Sequence, residues 1–163
     1  MSRYAGIIKN DFTSAPGVSV TFFAQGCHQH CENCHNQDTW DFCGGKEFTE
    51  ETLNEVLLAL IANGLRRNLC IMGGEPLCAE NLEMTLKLIT EAKDLIPNIK
   101  IFVWTGYLYE DLLKQEDKTL QRVLKEIDVL IDGPYIHDLR DITLFMRGSS
   151  NQRILNLSNK IEI

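Results

Sequence analysis

No part of this chain is apolar for longer than the run Val56 to Ala62, far short of the ~20 residues a membrane-spanning helix requires. Positive charge is also scarce. Against 23 Asp and Glu there are 16 Lys and Arg, a formal net charge of -7, which argues against nucleic acid as the main partner because phosphate binding wants clustered basic residues. The first residues, "MSRYAGIIKNDF", lack an apolar h-region and a cleavage-like site, so the expectation is a cytoplasmic chain that is not exported. There is no internal repeat, low-complexity tract or linker-like stretch. Residues 1–163 are therefore read as one domain, long enough to bury a core.

What the chain does have is an alternation of two periodicities. Val18, Val20 and Phe22 alternate with Ser19 and Thr21 as a strand does, and "NLCIM" (68–72), "KIFVW" (100–104) and "DVLI" (128–131) are short apolar runs of strand length. Between them, Leu53, Val56, Leu57, Leu60 and Ile61 form one helical face behind a Thr49 N-cap, with Gly64 at the helix end. Further helices are predicted over about Ala79–Leu95, Leu108–Lys114 and Leu120–Ile127. "ITLFM" (142–146) and "RILNL" (153–157) read as two more strands. Strands alternating with helices of this length mean a mainly parallel α/β sheet. A complete eight-fold barrel usually needs ~250 residues, so the expected fold is an open partial (βα) barrel of about five to six mainly parallel strands with helices outside.

Each of the four clearest strands is followed at once by polar or Gly-rich residues: "QGC", "GGEP", "TGY" and "DGPY". The C-terminal ends of parallel strands converge on one edge, where active sites are built. Four sequence-distant motifs are thus expected to share one site.

The first of them runs into "CHQHCENC", in which Cys27, Cys31 and Cys34 lie at CxxxCxxC spacing. Clustered thiols in a reducing compartment have no reason to form disulfides. A structural zinc ion wants four ligands, and His28, His30, His35 or Cys43 can supply the fourth. An iron–sulfur cube held by three cysteines leaves one iron without a protein ligand, whereas Cys43 as a fourth makes a plain electron carrier. In "GGEP" (73–76), Gly73 and Gly74 permit close backbone approach, and Glu75 offers an acceptor beside a cationic amine. The bland alternative for this stretch is a turn. Cys70 sits inside an apolar strand and reads as a small core residue.

The CxxxCxxC motif followed by "GGEP" resembles the radical S-adenosylmethionine (SAM) superfamily. The run "GCHQHCENCHNQDTW" and the C-terminal "RGSSNQR" are most similar to the glycyl-radical enzyme activases that act on anaerobic ribonucleotide reductase. "WTGY" stands where pyruvate formate-lyase activases carry a "DTNG"-like motif, and Ser19 stands where such activases often carry an Arg. The resemblance implies one [4Fe-4S] cluster per chain on Cys27, Cys31 and Cys34, whose open iron chelates SAM. It implies that Asn33 and His35 lie along the adenine, that Gly73, Gly74 and Glu75 meet the methionine amino group, and that Gly74 has no room for a side chain because the ligand passes there. Thr105, Gly106 and Asp132 are further candidate SAM contacts; Asp132 has a turn or capping role as its alternative. Arg147 and Arg153 fix a carboxylate, face the partner or belong to a solvated loop. By the same resemblance, an electron from a flavodoxin-like donor cleaves SAM, and the resulting 5'-deoxyadenosyl radical takes hydrogen from a glycine of the reductase's large subunit.

Overall fold

Strand β1 (Arg3–Asp11) turns antiparallel into β2 (Ser19–Ala24), and a two-residue strand β3 (Lys46–Glu47) pairs with β1 on its other side. The structure, a computed structural model, describes residues 1–158. Beyond β3 come α1 (Glu50–Ile61), β4 (Asn68–Gly73), α2 (Leu82–Leu95), β5 (Ile101–Trp104), α3 (Tyr109–Leu113), α4 (Lys118–Glu126), β6 (Val129–Asp132) and β7 (Arg153–Asn156). The strands form one mixed sheet in the order β3-β1-β2-β4-β5-β6-β7. Strands β2, β4, β5 and β6 run parallel to one another; β3, β1 and β7 are antiparallel additions at the two sides. The parallel core is smaller than the five to six strands expected, and the sheet is larger.

The two faces of the sheet are covered differently. Strand residues alternate between faces: Val20, Phe22, Leu69, Ile71, Ile101, Val103 and Leu130 join the large core with the helices, while Cys70, Phe102, Val129 and Ile131 belong to a second cluster. That second cluster receives Ala15 from the β1–β2 turn and Met146 from the loop before β7, but no helical residue. One face is thus closed by helices, and the other is lined mainly by loops.

Local chemistry accounts for the element ends. The Thr49 side chain accepts from the Thr52 backbone N–H in a capping box that starts α1, and a short 3-10 turn over Ala62–Gly64, with Gly64 at φ +65°, ends it. Helix α2 begins at Leu82, later than the expected Ala79, because Asn81 N–H bonds back to the Cys78 carbonyl and holds that stretch as a turn. The expected strand at 142–146 does not form. Its residues make turns, Arg140 pairs with Ser149 in an isolated bridge, and β7 occupies the edge of β6 where such a strand would have found its ladder. Strand β1 carries no clear alternation in sequence, since Gly6 and charged residues interrupt it and its register shifts between Tyr4 and Gly6.

Candidate functional site

The cysteine loop closes on itself just past the end of β2. Gly26 N–H donates to Thr39 O (2.7 Å) and Cys27 N–H to Trp40 O (3.1 Å), so the two ends of the loop are pinned together. Buried Gln25 reinforces this closure, with Nε2 donating to the carbonyls of Asp38 and Asp41. Between the pins the chain coils tightly, with His30 and Asn33 at φ 45° and 55°. Cys27 is buried, Cys31 and Cys34 are half-buried, and all three are free thiols. Backbone N–H groups of Gln29 and Asn36 point at the sulfurs of Cys27 (3.4 Å) and Cys34 (3.3 Å).

Burial pushes the thiols of Cys27 and Cys31 above their ordinary value, against backbone hydrogen bonds from Gln29 and Tyr135 respectively. Donors aimed at sulfur suit a thiolate, the form in which cysteine binds a metal. A cube offers each thiolate its own iron, and three cysteines on one short loop suit that donor set. Cys43 is exposed, and its N–H is taken by Asp41 Oδ1.

Strand β4 delivers "GGEP" against this loop. Gly74 N–H donates to Ala24 O and Glu75 N–H to Gly26 O, both at 2.8 Å. A β-carbon on Gly74 would fall 2.4 Å from the Gly26 carbonyl oxygen, and one on Gly73 (φ +104°) 2.8 Å from Ala24 O. Both glycines are required by the approach of one backbone to another. The group that a side chain at Gly74 would strike is the cysteine loop itself, and Gly74 also faces the site cavity.

Glu75 is fully buried and joins β4 to β5. Its Oε1 accepts from Thr105 Oγ1 (2.7 Å) and Leu77 N–H (3.0 Å), and its Oε2 from Gly106 N–H (2.7 Å). Burial lifts its carboxyl from 4.5 to about 7, with these three donors holding the rise back. Asn81 Nδ2 donates to the carbonyls of Gln25 and Glu75, tying the two motifs from behind.

A cavity of about 210 Å³ opens between these pieces, lined by Cys27, Cys31, Cys34, His35, Gly73, Gly74, Glu75 and Thr105. Tyr135 of "DGPY" also lines it, its ring 5.1 Å from that of His35. Two predicted residues do not line it. Asn33 is exposed on the outer side of the coil. Asp132, the last residue of β6, is fully buried, accepting from Tyr109 N–H (2.8 Å) and from Arg153 Nε (2.9 Å) and Nη2. Gln25, Asn81 and Tyr135 are participants that the sequence reading missed. "QGC" and "DGPY" pointed at two of them, whereas nothing local marks Asn81.

Fold and cysteine site together define a single-cluster iron–sulfur domain, and residues 14–155 match the family described as a 4Fe-4S single cluster domain. The chain is 37% identical over 145 residues to the Anaerobic ribonucleoside-triphosphate reductase-activating protein of Vibrio cholerae, a match covering 88% of this chain and 91% of that one. The protein of the same name from Enterobacteria phage T4 is 37% identical over 152 residues (93% and 92%), and that of Escherichia coli K12 34% over 148 residues (90% and 94%). This chain belongs to the family of anaerobic ribonucleoside-triphosphate reductase-activating proteins.

Proposed function

We propose that the protein is the activase of an anaerobic ribonucleoside-triphosphate reductase, working as one radical SAM domain in a reducing cytoplasm. Cys27, Cys31 and Cys34 hold a [4Fe-4S] cluster that keeps one iron open, and the cavity beside them takes SAM. A cluster held there would supply the electron for reductive cleavage of SAM to methionine, and the organic radical so formed would take a hydrogen atom from a glycine of the large reductase subunit.

The chain's own residues do the positioning. Backbone donors at Gln29 and Asn36 stabilise anionic sulfur and thereby help set the potential. Glu75 supplies a buried acceptor; a cationic amine beside it favours the charged form that burial opposes. Thr105 and Gly106 fix its orientation. His35 and Tyr135 offer ring faces at the cavity wall, and Asn33 shapes the coil that follows Cys31. Asp132 acts through Arg153, holding β6 to β7 behind the site. The sheet face without helices suits a substrate that is another protein's loop, as the open side of a partial barrel would. A flavodoxin-like donor is the proposed source of the electron.

The observation that carries this reading is the convergence of three cysteines and "GGEP" on one cavity. The test is anaerobic reconstitution, strong reduction and addition of SAM. Methionine and 5'-deoxyadenosine are expected, with a glycyl radical signal once the reductase is present. SAM left untouched with the cluster intact and the partner present overturns the proposal.

A further inference from the structure

The site cavity does not end at the cysteines. His35, Met72, Trp104 and Gly148 also line a second cavity of about 390 Å³, which runs along the helix-free face of the sheet. One wall is the β1–β2 turn, at Thr13 and Ser14; the other is the loop before β7, at Ile142, Leu144 and Met146. The second wall is a flap of defined shape. Its base is closed by the Arg140–Ser149 bridge and by Asp141 N–H on Gly148 O (3.2 Å), and Trp104 Nε1 donates to Met146 O (2.8 Å), fastening the flap to the end of β5.

This anchored flap exposes apolar side chains. Ile142 is 80% and Phe145 50% exposed, and Phe12, at the tip of the facing turn, is 73% exposed. Single exposed apolar residues are ordinary on any protein, and others stand on the helical side. Ile142 differs because it lines a groove continuous with the cysteine cavity, and Phe145 stands on the same flap.

We propose that this groove is the docking surface for the polypeptide substrate, an extended segment of the reductase that carries apolar side chains beside its target glycine. The inference rests on the activase reading above. If a glycine Cα–H reacts in the cavity, the chain on at least one side of it must leave along the surface. The groove is a continuation that the cavity offers, floored by Met72 and Trp104 and walled on the flap side by Ile142, Leu144 and Met146, with charged Asp141 and Arg147 beside them. The polar wall at Thr13 and Ser14 is already ordered by Asp11, whose carboxylate accepts from both hydroxyls and both backbone N–H groups. It therefore presents a fixed rim rather than one that must organise on binding.

The test uses reconstituted full-length protein and the purified large reductase subunit. Ile142→Glu places a charge in the groove and Phe145→Glu places one beside it on the same flap, both at exposed positions, and Leu58→Glu, at a 66% exposed site on α1, is the surface control. In the two flap variants the KM for the reductase should rise at least tenfold, and the glycyl radical formed per SAM cleaved should fall, while Leu58→Glu changes neither. Wild-type KM and coupling in both flap variants overturn the docking surface and leave the activase reading standing. Equal loss of partner-free SAM cleavage also overturns it, by assigning the flap to the cofactor cavity. A wild-type protein that cleaves SAM but never marks the reductase removes the activase reading itself.

Discussion

The backbone of Gly74 is packed against that of Gly26, one residue before Cys27, so closely that a β-carbon would come within 2.4 Å of a carbonyl oxygen. The second motif of the site is therefore a buttress of the first. Gly74→Ala should destabilise the fold by about 1–3 kcal/mol through overpacking and lower the iron bound on reconstitution. Iron and sulfide analysis with thermal unfolding checks this. Full iron content at wild-type stability would show that the neighbouring loop yields without cost.

Cys43 is exposed and outside the cavity, whereas Cys31 lines it. After anaerobic reconstitution Cys43→Ser should keep wild-type iron and absorption, and Cys31→Ser should lose the cluster. Equal loss in both variants points to four cysteine ligands and a plain electron carrier.

The raised carboxyl of Glu75 makes stability depend on pH in a defined direction. Between its ordinary 4.5 and about 7 the folded apoprotein binds more protons there than the unfolded chain, so this group's contribution to stability falls as pH rises through that window, by roughly 3 kcal/mol at most. Thr105→Val removes a donor to the carboxylate and pushes the folded value higher still. A hydrogen bond to a charged group contributes about 1.5–3 kcal/mol, against about 1 for a neutral one. The variant should therefore lose about 1 kcal/mol more at pH 8 than at pH 5.5, as read from denaturant unfolding. An equal loss at both values means that Glu75 does not titrate in this range.

Arg153 is the side-chain partner of a fully buried carboxylate, that of Asp132, and also reaches exposed Glu110. Arg153→Ala should cost about 3 kcal/mol, the low end for uncovering a buried charge because the arginine is itself partly exposed. Asp132→Asn should cost less, because the charge is removed together with the need to pair it. If Asp132→Asn instead weakens SAM binding at unchanged stability, Asp132 is a ligand contact. Isothermal titration and thermal melts separate the two.

The pattern of the sequence by itself determined the α/β class, the four central strands, the helices and the cysteine site, because these rest on periodicity and on side-chain chemistry that neighbours along the chain can express. The Thr49 cap is of that kind: donor and acceptor lie three residues apart. Pairing across the sheet is not. "ITLFM" has strand-like letters, yet β7 already holds the edge it would need, so it becomes a flap. Strand β1, poor in alternation, forms because β2 supplies its partners. At the site, sequence marked Gly74 and Asp132 as exceptional but did not show which protein groups each meets. A glycine shows that something comes close and an aspartate that a donor is near; only the packing of distant segments decides that the first is Gly26 and the second Arg153.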